Sequence, residues 1–105
     1  MCERCLLAET PVLRARGLLG RAGLEPGEGL LLRPASSIHM FFMRFPIDAV
    51  FLDRELAVRK VVPNLKPWRM AGARGAKAVL ELPAGACEEV GLRVGDRLRL
   101  ERSTL

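Results

Sequence analysis

Hydrophobic residues in this chain come in short blocks, each closed by Pro, Gly or a charged turn, a punctuation that predicts strands rather than long helices. Residues 5–10 read as a first strand. Thr10 and Pro11 then signal a helix start, the Thr side chain capping a free N–H and the Pro standing where no N–H is needed. Val12, Leu13, Leu18 and Leu19 give this one short helix its apolar side, and Gly20 or Gly23 ends it in a left-handed turn. Residues 29–33 form the next apolar run, closed by Pro34.

Residues 37–53 carry the most information. From Ile38 to Phe45 only His39 and Arg44 are not apolar, which a strand with one wet face does not explain, so both faces are expected to be covered. Pro46 interrupts, because it cannot donate to a ladder, and residues 47–52 resume a β-branched and aromatic strand ending in an Asp53-Arg54-Glu55 turn. Residues 57–62 read as the hairpin partner. Between 63 and 75 the chain turns to Pro, Gly, Trp and basic residues without a period, predicting a long functional or mobile loop. A strand over 76–82, a Pro83-Ala84-Gly85 turn, one helical turn over 86–90, a second turn over 91–96 and a period-2 strand over 97–101 complete the chain. Six to seven short strands and one short N-terminal helix predict a mainly β, single compact barrel-like or sandwich domain over residues 1–105, with the Cys-bearing segment 1–5 frayed.

Composition agrees with one domain: 105 residues that are 50% hydrophobic and 28% charged suffice for one modest core and argue against disorder. No apolar run reaches the roughly 18 residues of a membrane span. The start, Met1-Cys2-Glu3-Arg4-Cys5, lacks the basic and long apolar stretches of a signal peptide, so a cytoplasmic location is expected. Asn64 is the single Asn, Gln is missing and Arg outnumbers Lys, traits shared by thermophiles and by GC-rich genomes.

Charge sharpens this picture. The net +5 is uneven: residues 45–75 hold +3 of it, and Arg59, Lys60, Lys66, Arg69, Arg74 and Lys77 follow one another with no acid between them. This is either a solvated face or an electropositive rim around Trp68 suited to a phosphate or carboxylate.

Five segments then resemble one family: Arg16-Gly17-Leu18-Leu19-Gly20-Arg21; Gly29-Leu30-Leu31-Leu32; Ser37-Ile38-His39-Met40-Phe41-Phe42-Met43-Arg44-Phe45-Pro46-Ile47-Asp48; Leu65-Lys66-Pro67-Trp68-Arg69; and Leu80-Glu81-Leu82-Pro83-Ala84-Gly85 with Gly91 and Gly95-Asp96. Together they resemble the bacterial and archaeal domain-of-unknown-function family 192 over nearly the whole chain. The resemblance implies a compact, mainly β fold and supplies no chemistry. It also implies that many similar proteins carry an export signal ahead of the domain.

The candidate chemistry is correspondingly modest. His39, the only histidine, shares the apolar block with Met43, Arg44 and Asp48. Either His39 is a satisfied core or rim residue and Asp48 bonds backbone, or Asp48 orients His39 while Arg44 binds an anion. Cys87 beside Glu88 and Glu89 is a poor thiolate, and no Gly-x-Ser-x-Gly elbow is present. Cys2 and Cys5 have the spacing of half a zinc knuckle that Cys87 and His39 could complete, a weaker alternative to a reduced pair near the terminus. The glycines at 17, 20 and 23 follow helix rather than strand and make no phosphate loop. Trp68, flanked by Lys66, Pro67 and Arg69, is the strongest interaction candidate, either stacking on a ligand or packed as a lid.

The favoured reading is a non-enzymatic binding module for a small anionic or polar ligand, with His39, Met43, Arg44, Asp48, Lys66, Trp68 and Arg69 around one cleft and no cofactor. The alternatives are an enzyme using a His39/Asp48 pair, and a structural or protein-interaction module in an envelope or secretion assembly. Nucleic acid is disfavoured, because the aromatic motifs of RNA-binding domains are absent.

Overall fold

A computed structural model describes residues 4–8, 27–40 and 43–98. Seven strands are described: β1 Arg4–Ala8, β2 Glu28–Leu32, β3 Ser37–His39, β4 Ile47–Leu52, β5 Val58–Leu65, β6 Met70–Gly72 and β7 Ala78–Pro83, followed by a short helix, α1, Ala86–Val90. Five of them form one sheet in the order β1-β2-β7-β4-β5, and β3 pairs with β6 as a separate ribbon. The larger sheet is not closed into a barrel. β1 and β2 are parallel and all other pairs antiparallel. A parallel pair needs a crossover of about a dozen residues or more. The interval 9–27 is long enough; the predicted N-terminal helix and its glycines fall at 10–23, outside the described residues.

Strand β4 explains the layering. All six of its residues are buried, so it has no wet face, and alternate side chains serve two cores. Ile47, Ala49 and Phe51 join Leu30, Leu32, Met40, Met43, Leu65 and Val79 on one side of the sheet. Ile38 and Ala71 of the ribbon pack on this core. Val50 and Leu52 join Leu31, Val58, Leu80, Leu82 and Cys87 on the other, against which Leu56, Leu92 and Leu98 pack. The result is ribbon, sheet and C-terminal segment in three layers.

Two expectations change. Residues 38–45 are not one doubly covered strand: pairing stops at His39, with Ser37 and His39 exposed and Ile38 half-buried, so β3 alternates after all. Residues 63–75 are not one long loop. β5 runs on to Leu65 through Pro63, which an edge strand tolerates, and β6 then pairs with β3 through Ser37–Gly72, Ile38–Ala71 and His39–Met70. The strand expected over 97–101 is represented among the described residues by a bridge between Ala57 and Arg97.

Candidate functional site

The ribbon brings the histidine block and the tryptophan turn together. His39 lies opposite Met70 in register. Beyond that pair the Met40 N–H donates to the Arg69 carbonyl at 2.7 Å, and the Trp68 N–H donates to the Met40 carbonyl at 2.7 Å. Lys66, Pro67, Trp68 and Arg69 form a tight turn closed by the Arg69 N–H on the Lys66 carbonyl at 3.3 Å. Pro67 supplies the fixed φ such a turn wants at its second position, but the third position is held by Trp68 at φ 69°, where glycine is the usual occupant. A bulky residue there costs of order 1–2 kcal/mol. Trp68 is nevertheless 58% exposed and Met70 68% exposed, so the ribbon shows solvent an apolar surface with Lys66 and Arg69 at one end.

The expected basic rim divides in the folded chain. Lys60 Nζ donates to the Gly72 carbonyl at 2.9 Å and Arg59 Nε to the Arg74 carbonyl at 3.1 Å, so both fasten β5 to the end of β6. Arg44 is exposed; Met43 is buried in the core, its N–H donating to the Met40 carbonyl at 3.2 Å.

Asp48 is not part of this surface. Alternation along β4 turns it to the face opposite the ribbon, where it is fully buried. One oxygen, Oδ1, accepts from the Asn64 N–H at 2.9 Å and the Gly85 N–H at 3.1 Å; Oδ2 accepts from the Cys87 N–H at 2.9 Å. Asn64 sits in a register shift between β4 and β5 with φ 50°, and Gly85 and Cys87 begin α1. Asp48 thus satisfies a bulge in one segment and the free N–H groups of a helix start in another. It is engaged with backbone, and the expected His39/Asp48 pair is not formed.

Cys87 is 4% exposed, and burial, then the charge and hydrogen bond of Asp48, push its thiol up to about 12. The poor thiolate expected from Glu88 and Glu89 therefore has another cause. Cys87 and His39 lie on opposite faces of the sheet and do not complete a shared metal site; Cys2 and the side chain of Cys5 are outside the described residues. Among the described residues no group of three or more His, Cys, Asp or Glu is placed to hold a metal ion.

One group escaped the sequence reading. Glu81, in the centre of β7 between Leu30 and Ala49, is 5% exposed, and alternation with Val79 places it on the ribbon side of the sheet. Its carboxyl makes no hydrogen bond or ion pair with a described residue, and burial alone raises its pKa from 4.5 to about 7. The available signal was an acid inside the apolar run 78–82, at a position whose neighbours i−2 and i+2 are Val79 and Pro83.

Residues 3–100 match the DUF192 family, described as uncharacterized ACR. Among curated relatives, a UPF0127 protein of Thermococcus sibiricus is 34% identical over 93% of this chain and 66% of its own length. A UPF0127 protein of Pyrococcus abyssi is 35% identical over 88% of this chain and 81% of its own. Among solved structures, a protein of unknown function from Novosphingobium aromaticivorans superposes with a TM-score of 0.81 at 28% identity, covering 89% of this chain and 71% of that one. The chain spans just under two thirds of the Thermococcus relative.

Proposed function

We propose a binding role for this chain, which belongs to the DUF192 family: its outer ribbon is a non-enzymatic site for a small anionic ligand that carries a planar or apolar part. The observation that supports it most is Trp68, held in a left-handed turn position where glycine would be cheaper, and 58% exposed beside the exposed Lys66 and Arg69. A residue retained against backbone strain, exposed and flanked by cations, suits stacking on a ligand whose anionic group the cations meet. His39 and Met70, facing each other across the ribbon, extend the same surface.

Trp68 is the single tryptophan, so its fluorescence reports on the site directly. Titration with nucleotides, sugar phosphates and organic acids is expected to give a saturable change with at least one of them. A ligand at 100 times its Kd adds about 2.7 kcal/mol of stability, visible as a thermal shift. Arg69→Ala and Lys66→Ala should each weaken the response while leaving the fold intact. Silence across the panel, or a response that survives the double substitution, overturns the reading. The exposed Trp68 and Met70 also favour a second reading, a protein-contact surface, which a partner captured by the native chain and lost with Trp68→Ala and Met70→Ala supports.

A further inference from the structure

A second basic feature lies outside the ribbon. The register of β7 with its two neighbours sets Leu32 of β2 beside Val79, and Leu52 of β4 beside Ala78. Arg33, Lys77 and the Asp53-Arg54 pair therefore emerge side by side at one end of the sheet, on adjacent strands spaced about 4.8 Å apart. The backbone there is fixed: the Lys77 N–H donates to the Leu52 carbonyl at 2.7 Å, and the Ala35 N–H donates to the Lys77 carbonyl at 3.0 Å. These residues, with Pro34, Leu56 and Ala78, line an open depression of about 330 Å³.

Its chemistry is that of an anion site with an apolar floor. Three cations and one carboxylate line it. The carboxylate is engaged: Asp53 Oδ1 accepts from the Glu55 N–H at 2.8 Å and the Ala57 N–H at 2.9 Å, shaping the turn that carries Arg54. The Ala57 bond leads the causes that hold Asp53 below the ordinary carboxylate range, joined by the Glu55 bond and the charges of Arg59 and Arg97. Arg54 and Lys77 are exposed and make no side-chain hydrogen bond or ion pair with a described residue. Glu55, the nearest other acid in sequence, is turned to Arg97 at 3.0 Å.

We propose that this depression, formed by Arg33, Arg54 and Lys77 over Pro34, Leu56 and Ala78, binds the phosphate of a small phosphomonoester whose body is partly apolar. The exposed Arg54 and Lys77 alone bring two positive charges to the lining, comparable to the roughly −1.5 to −2 of a phosphomonoester near neutral pH. A guanidinium fork beside a lysine point charge is a pairing suited to phosphate oxygens. The volume falls at the small end of ligand sites, which span about 300–1,000 Å³, and so suits a small ligand. This site is distinct from the Trp68 surface: none of its lining residues belongs to the Lys66–Arg69 turn or the ribbon, and its floor, Leu56 and Ala78, packs with the core on the opposite side of the sheet.

The test is an amide chemical-shift titration of the full chain with phenyl phosphate, with benzoate and inorganic phosphate as parallel arms at constant ionic strength. Saturable shifts are expected at residues 33, 35, 53–56, 77 and 78, with benzoate at least tenfold weaker because it carries one charge. Inorganic phosphate should move the same amides with lower affinity, since it lacks the apolar body. Arg54→Ala and Lys77→Ala should each weaken phenyl phosphate at least tenfold, and Arg54→Lys should recover part of that loss. Trp68→Ala should leave the shifts at residues 33, 53–56, 77 and 78 unchanged while removing any at 66–69, so failure here and failure of the ribbon site are told apart. Shifts confined to residues 66–69, equal affinity for benzoate at the depression, or undiminished shifts at residues 33, 53–56, 77 and 78 in the Arg54→Ala, Lys77→Ala double variant would each overturn the proposal.

Discussion

Glu81→Gln is expected to abolish most of the pH dependence of stability between about pH 4.5 and 7. The wild-type carboxyl lies in the middle strand of the sheet, 5% exposed and without a partner among the described residues. In the unfolded chain it titrates near 4.5, and in the folded chain near 7. Below pH 4.5 both states hold the proton and the group has no effect on stability. As the pH rises toward 7 the unfolded state releases the proton while the folded state keeps it, so stability falls by up to ~1.4 kcal/mol per pH unit. Above 7 the loss is complete, at about 3 kcal/mol for a shift from 4.5 to about 7. Gln keeps the shape and cannot ionise. The variant should match wild type at pH 4 and exceed it by up to about 3 kcal/mol at pH 8. Guanidinium unfolding followed by far-UV circular dichroism at pH 4, 5.5, 7 and 8 measures both. Other shifted groups act elsewhere on the scale. Asp53, whose folded pKa is lowered by the Ala57 bond, contributes stability above its ordinary 3.8 that is lost as pH falls below it. Cys87, raised from 9.0 to about 12, weakens the fold only as pH climbs past 9. A Glu81→Gln variant that keeps the wild-type slope between 4.5 and 7, or that is less stable than wild type at pH 8, refutes the reasoning.

Asp48→Ala should cost at least about 3 kcal/mol in the same unfolding assay, because it strands three backbone N–H groups in the β5 bulge and the α1 start. Asp48→Asn should lose less, since the amide oxygen still accepts. With Cys2 and Cys5 replaced by Ser, Cys87 should react with a thiol reagent at neutral pH only at the rate of unfolding; prompt labelling of the native chain contradicts its burial. Gly75→Ala should destabilise by about 1 kcal/mol or more, because Gly75 has φ 83° and an added Cβ would meet the Arg59 guanidinium at 3.0 Å. Arg59→Ala in that background relieves the contact and leaves the backbone strain, so the recovery should be partial.

Legibility followed the range over which each feature is determined. The β4 strand, its Asp53-Arg54-Glu55 turn, β7 and the five-residue helix all depend on local chemistry, and all were readable from hydrophobic runs and turn residues. The ribbon was not, because β3 and β6 are three residues each, separated by some thirty positions, and their outward faces carry His39, Met70 and Gly72 rather than a clean polar alternation. The apolar run after His39 hid the change of role. Met40 and Met43 fill the core under a ribbon that has already ended, so they looked like a continuing strand. Asp48 and Glu81 show the same limit in the site. Both are acids inside apolar strands, yet Asp48 faces three N–H donors brought by β5 and α1, while Glu81 faces the ribbon-side core, and no local pattern separates those fates.

The two acids also lie on opposite faces of the sheet in different surroundings. On the α1 side, a buried charge satisfied by backbone fixes β4, β5 and the helix to one another, so that face is built for rigidity. On the ribbon side, the cover is a three-residue ladder ending in a strained Trp68 turn, over an acid whose pKa burial raises to about 7, while the Arg33–Lys77–Arg54 depression opens at the end of the sheet. Strain, exposed aromatic surface and a buried acid with no partner among the described residues all reduce stability or leave it unimproved, and they lie on the ribbon face. Folding does not require that clustering; the proposed ribbon site would account for it. If both proposed sites were silent, the protein would be expected to tolerate Trp68→Ala, Arg69→Ala, Arg54→Ala and Lys77→Ala together with all measured properties unchanged. A loss of any ligand response in that quadruple variant, with its unfolding transition preserved, supports a binding role for these residues.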